Sequence, residues 1–279
     1  MKKWKQLTAF ALAAATVISL LPSAPAQAAS KKKTVWVPTQ TKQYTYSSDE
    51  QWNEFSSYKC TYNKKGKLTS DSYMGTDKTI SKTKYKYDSK GYISTVTYYK
   101  NNKKTGKDVY TRNKKGYTTK VTSYDEKNKL ESTTTYKLNS KGDWTKRTTT
   151  YTQKGKKKVV ETVKYTYKKN QIVKEDYKYG DDYETISEYT NKGEVKKFTW
   201  KDEDGSSTTT YTYKGGRVSK SVFQYTSKDK SYTDKITYTY KYKTDKNKNV
   251  TEAIQYKEDG TPMFRTVYSG YKKIPVSSK

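Results

Sequence analysis

The chain has 279 residues, 58 Lys and Arg against 28 Asp and Glu, a formal charge of +30, one cysteine and no histidine. One cysteine excludes an intramolecular disulfide, and the absence of histidine excludes a Ser-His-Asp triad, a Cys-His pair and any His-based zinc site. The charge excess attracts polyanions and repels copies of the same chain.

The first segment reads as a signal peptide. Lys2, Lys3 and Lys5 form a basic start, Leu7 to Leu21 an apolar run, and Ala26-Gln27-Ala28 a small-residue site, so cleavage is expected after Ala28. The run is shorter than the ~20 residues of a bilayer span, and Pro22 and Pro25 end it. The C-terminus, "SGYKKIPVSSK", has no apolar tail. An exported protein with no membrane span, secreted and associated with the cell wall, is therefore expected. Its three signal lysines removed, the rest keeps +27.

From Ala29 onward there are only 25 Val, Ile and Leu and four Phe, a share that with this charge would suit disorder. Against that stand 31 Tyr and many Thr, both strand-favouring and both recurring in register. Residues 29–43 read as a basic linker, 44–270 as a repetitive β domain and 271–279 as a tail.

The repeat is set by its turns. Gly66, Gly91, Gly116 and Gly142 lie 25, 25 and 26 residues apart, each closing a tetrad: "NKKG", "DSKG", "NKKG", "NSKG". Gly193 and Gly216 mark later copies, and Asn170 and Lys248 stand in for glycine in two more. Glycine there suits a turn with positive φ, and the Asn or Asp before it can hydrogen-bond the turn backbone. Two residues on comes a column of Leu68, Ile93, Thr118, Trp144, Ile172, Val195, Val218 and Val250. Before the turns, tyrosines recur at period two, as at Tyr85 and Tyr87 or Tyr211 and Tyr213, with Lys and Thr between. Cys60 falls in that tyrosine column and reads as a buried filler. Each second strand ends at another aromatic: Tyr73, Tyr99, Tyr124, Tyr151, Tyr179, Trp200, Tyr225 and Tyr256.

About eight hairpins of ~25 residues follow, an all-β antiparallel meander of some sixteen strands. So few aliphatics suit an extended or curled sheet, partly single-layered, its tyrosine rows covered by lysine stems. A closed β-barrel is the alternative, because closure removes exposed edges.

Tyr87-Asp88-Ser89-Lys90-Gly91-Tyr92-Ile93, and after it Tyr62-Asn63-Lys64-Lys65-Gly66-Lys67-Leu68, resemble the YD repeats of RHS-type proteins, over about residues 58–262. That resemblance implies β-hairpin shells or stalks outside bacterial cells, with no catalytic residues in the repeats. This chain differs in being short and Lys-rich.

Carboxylates at Asp181, Asp182 and Glu184, and at Asp202, Glu203 and Asp204, are the remaining candidates for catalysis, but they fall where acidic turn formers are ordinary. Asp245-Lys-Asn247-Lys-Asn249 begins like a calcium loop, yet Val250 stands where that loop needs Gly and Tyr256 where it needs Glu. No enzyme, cofactor or metal is expected. Lys interleaved with Tyr points instead to anionic cell-wall polymers bound through charge, with nucleic acid a secondary partner. A carbohydrate-binding module using tyrosine rows on extracellular glycans is the alternative.

Overall fold

The computed structural model describes residues 34–152 and 158–275. The signal peptide and its cleavage site lie outside the described residues. Among the described residues twenty strands are formed. The first ten are β1 (Thr34–Val37), β2 (Gln40–Tyr46), β3 (Trp52–Tyr62), β4 (Leu68–Met74), β5 (Ile80–Tyr87), β6 (Ile93–Lys100), β7 (Lys103–Arg112), β8 (Thr118–Asp125), β9 (Leu130–Leu138) and β10 (Trp144–Tyr151). The rest are β11 (Val159–Lys168), β12 (Gln171–Tyr179), β13 (Tyr183–Tyr189), β14 (Val195–Lys201), β15 (Gly205–Lys214), β16 (Arg217–Ser227), β17 (Thr233–Thr244), β18 (Val250–Lys257), β19 (Pro262–Ser269) and β20 (Lys272–Pro275).

Strands β2 to β19 pair antiparallel in sequence order, and β19 then pairs with β2, Phe264↔Thr45 through Ser269↔Gln40. The open or curled meander expected from the aliphatic count is thus replaced by the alternative, a closed barrel, here of 18 strands. Closure leaves no barrel strand with an unpaired edge, which stabilises a sheet with little apolar surface to bury. Eight hairpins come from the eight sequence repeats. The ninth is made by the two ends of the chain, β19 and β2, and β1 and β20 extend it as a two-stranded ribbon, Thr34↔Pro275 through Val37↔Lys272. Strands β1, β2 and β20 therefore occupy parts of the segments read as linker and tail.

The turns follow their sequence signature. Gly66, Gly91, Gly116, Gly142, Gly193 and Gly216 all have φ between +73° and +89°. In the turn at Gly66, Asn63 Oδ1 accepts the N–H groups of Lys65 (2.9 Å) and Lys67 (3.0 Å). Asn113, Asn139 and Asp245 do the same in their own turns, so the suspected calcium loop is an ordinary member of the series, its Asp245 carboxylate held by backbone N–H groups.

Each glycine turn is followed by a register shift that inserts one residue into the second strand, as at Thr61/Tyr62 or Lys86/Tyr87. Such a bulge puts the column residue and the residue three positions later on one face. Leu68 thus shares a face with Asp71, Ile93 with Val96 and Val218 with Ser221.

Candidate functional site

The two faces of the wall differ in chemistry. One carries the paired tyrosines, the column residues and the deeply buried groups: Ser56, Glu161 and Val163 at 2% exposure, Ser221 at 1%. Small side chains are buried so far only where neighbours crowd them, which happens on the concave side of a closed sheet. This tyrosine face therefore lines the lumen. Barrels of 16–18 strands are wide enough to leave an aqueous interior, and few apolar residues here are fully buried.

The mid-strand lysines take the opposite, outward positions, such as Lys84 between Ser70 and Thr97 in the ladders of β5, or Lys120 between Thr111 and Thr135 in those of β8. Turn lysines reach the lumenal tyrosine rows in places, Lys67 at 5.0 Å from the Tyr87 ring and Lys141 at 3.8 Å from Tyr167. Since alternate residues point to opposite faces, the mid-strand lysine stems do not cover those rows as expected. They meet instead the outward members of the second aromatic series. Lys84 lies 5.0 Å from the Tyr99 ring, Lys107 5.0 Å from Tyr124 and Lys241 4.8 Å from Tyr256.

Outward carboxylates are unevenly placed. Glu54 pairs with Lys42 (2.8 Å), Asp176 with Lys174 (2.9 Å), Glu184 with Lys201 (3.9 Å) and Glu188 with Lys197 (4.0 Å). Glu252 pairs with Lys243 (2.7 Å) and Arg265 (2.6 Å). All of these sit on β2–β3, β12–β14 and β17–β19. Between them, β5 to β10 present Lys82, Lys84, Lys86, Lys104, Lys107, Lys120, Lys137 and Lys146 outward. Among the described residues, no paired outward position of those six strands holds a carboxylate. At ~4.8 Å per strand the strip is about 30 Å across.

The lumen has the reverse bias. Asp71, Asp108, Glu161 and Glu175 face inward, and each accepts a tyrosine hydroxyl: Tyr85 to Asp71 (2.5 Å), Tyr98 to Asp108 (2.8 Å), Tyr177 to Glu161 (2.6 Å) and Tyr189 to Glu175 (3.3 Å). Burial pushes the Glu161 carboxyl up, but hydrogen bonds from Arg147 and Tyr177 and the guanidinium charge outweigh it and hold it below its usual range. Glu175 has no such cation, and burial pushes it up. Burial also raises Tyr85, Tyr189 and Tyr242 on this face, the last to about 12. Cys60 lies half-buried on this face, its thiol pushed up by burial.

The carboxylate clusters noted in the sequence do not face one another across a cleft. Asp202 caps its own turn, accepting from the Asp204 and Gly205 N–H groups and from Trp200 Nε1 (3.1 Å), while Glu184 points outward to Lys201.

No family model matches the chain, and no curated protein matches it. Among solved structures it is similar to a porin-like protein from Bacteroides uniformis ATCC 8492, with 16% identity and a TM-score of 0.45 over 85% of this chain and 96% of that one. A porin-like protein from Bacteroides vulgatus ATCC 8482 gives 11% and 0.38 over 83% and 97%. The Tc holotoxin pore of Photorhabdus luminescens gives 11% and 0.35 over 79% of this chain and 14% of that one.

Proposed function

We propose that the protein is a secreted, non-enzymatic barrel that binds anionic cell-wall polymers through the outer wall of β5–β10. The observation that carries this reading is the strip of eight outward lysines whose partners across the ladders include no carboxylate, the exposed Glu131 standing outside those pairs at the start of β9. Elsewhere on the wall Lys42, Lys174, Lys197, Lys201 and Lys243 each have a carboxylate within 4.0 Å. Along β5 the lysines alternate with inward residues, which spaces the ammonium groups by roughly 6.6 Å, a regular row suited to a linear chain of phosphates rather than to one small anion. A bilayer-spanning barrel needs an apolar outer band. The outward lysine rows favour a wall in water. Nucleic acid fits the same electrostatics and ranks second because an exported protein meets wall polymers first.

The test is retention on purified wall polymer, a polyphosphodiester, measured against salt. Replacing Lys84, Lys107 and Lys120 together by Gln should weaken binding at least tenfold and flatten the log-affinity against log-salt slope by about 2. Replacing Lys197, Lys201 and Lys243, which have acidic partners, should change it less than threefold. Equal losses in the two triple variants, or retention indifferent to salt, would overturn the assignment.

A further inference from the structure

On the lumenal face of β9–β14, aromatic rings join into one continuous run. Tyr136 lies 6.4 Å from Trp144, Trp144 6.2 Å from Tyr177, Tyr177 6.0 Å from Tyr183 and Tyr183 4.4 Å from Trp200. Tyr179 stacks on Tyr183 from the other side, at 5.1 Å and 7°. Trp144 follows the Gly142 turn at one rim, whereas Trp200 precedes the opposite rim, so the run crosses the barrel from end to end. Elsewhere among the described residues the close ring contacts are isolated pairs, such as Tyr46 with Trp52 or Phe55 with Phe264.

Core packing alone would bury such rings. These remain accessible to the lumen, none of the six is buried, and Trp200 is 37% exposed. The Trp200 N–H is already given to Asp202, so what the indole offers a ligand is its face. Polar groups flank the run at its middle, where Arg147 lies over Trp144 (5.4 Å) and is held by Glu161, which also accepts from Tyr177. Flat rings with hydrogen-bonding groups at their edges match a sugar ring, apolar on its faces and hydroxylated on its rim. The inward carboxylates Asp71, Asp108 and Glu175 repel anionic chains, which selects for an uncharged one.

We infer that this run is a binding track for a linear, uncharged oligosaccharide inside the barrel, separate from the outer lysine strip and independent of it. Each further sugar unit reaches a further ring, so affinity rises with chain length. The test is titration with neutral linear gluco- and N-acetylglucosamine oligosaccharides of two, four and six units in 1 M salt, where binding to the outer wall is screened. The hexasaccharides of one series should bind at least tenfold more tightly than the disaccharide. They should also protect tryptophan emission from acrylamide quenching in the unaltered protein. Trp200→Ala and Tyr183→Ala should each weaken binding about tenfold, Trp200→Phe less than threefold, and the outward Tyr256→Ala not at all. Should the alanine variants lose their strand circular dichroism, the quenching and length dependence of the unaltered protein decide alone. Silence across the panel, affinity indifferent to length, or folded Trp200→Ala binding unchanged would each overturn the track.

Discussion

Replacing Gly116 and Gly216 by alanine, one at a time, separates two reasons why the repeat turns carry glycine. Both have left-handed backbones, φ +87° and +73°, so each variant bears a conformational cost of about 1–2 kcal/mol. Around Gly216 nothing lies within 4 Å of where a Cβ would stand. At Gly116 that Cβ would stand 2.5 Å from the hydroxyl of Tyr92 and 2.6 Å from its ring carbon Cζ. Tyr92 follows Gly91 of the preceding repeat, and the side chain after each glycine overlies the next: Lys67 over Gly91, Tyr92 over Gly116, Tyr117 over Gly142. The Tyr92 ring also lies 5.3 Å from the Arg112 guanidinium, so moving it disturbs a second contact. Overpacking adds about 1–2 kcal/mol. Gly116→Ala should therefore cost about 3 kcal/mol and Gly216→Ala about 1–2 kcal/mol. Urea midpoints at constant m-value measure both. Adding Tyr92→Ala to Gly116→Ala should recover the overlap part, giving a non-additive cycle. Equal costs at the two glycines, with an additive cycle, would refute the stacking of one repeat on the next.

Glu161→Gln removes the carboxylate that holds Arg147, itself 37% exposed at the side chain, and should cost about 2 kcal/mol in urea denaturation at pH 7. Because the Glu161 pKa is lowered, its contribution is present above the unfolded value of 4.5 and lost as pH falls through the folded one, so this variant should flatten the acid arm of stability against pH. Glu175 is raised by burial, which reverses the sign: what it contributes at low pH is lost as pH rises through its folded value, and Glu175→Gln should gain about 1 kcal/mol at pH 7, read as a higher Tm. Tyr242 and Tyr271 are raised from 10 to about 12 by burial, so the stabilisation they contribute is complete below pH 10 and lost as pH rises through 12. Far-UV circular dichroism and the last part of the phenolate absorbance should therefore change together between pH 10 and 12, and phenolate absorbance equivalent to all 31 tyrosines near pH 10 in an intact barrel would contradict the burial.

The turns, the strand direction and the tyrosine face were legible because each is written locally, in an Asn or Asp, a Gly and a period of two. Closure was not, since it depends on Gln40–Tyr46 and Pro262–Ser269 meeting across the whole chain, and neither strand carries the tetrad that flags the other hairpins. Tyr271, read as tail, gives its hydroxyl to the Val250 carbonyl, as Tyr213 does to Val195 (2.8 Å) and Tyr242 to Val218 (2.7 Å). The second aromatic series looked uniform but splits between the faces. The bulge makes the residues three, five and seven positions after the column residue face inward, which puts Tyr73, Tyr179 and Trp200 in the lumen. Tyr99, Tyr124 and Tyr256, six positions on, face outward with the lysines. The lysine strip was hidden for a different reason. Composition reports the charge excess, and only the register shows which lysines lack a carboxylate neighbour.

A disulfide across the seam tests closure most directly. Gln43 of β2 and Thr266 of β19 stand opposite each other in the ladder, 223 residues apart in sequence. Facing residues of antiparallel strands lie about 4.5–5.5 Å apart at Cα, within disulfide reach. With Cys60 replaced by Ser, the Gln43→Cys, Thr266→Cys variant should oxidise in dilute solution to a monomer with no free thiol. In an open meander these strands would form the two far edges, sixteen strands apart. Two persistent free thiols, or disulfide-linked dimers in place of the closed monomer, would contradict the barrel.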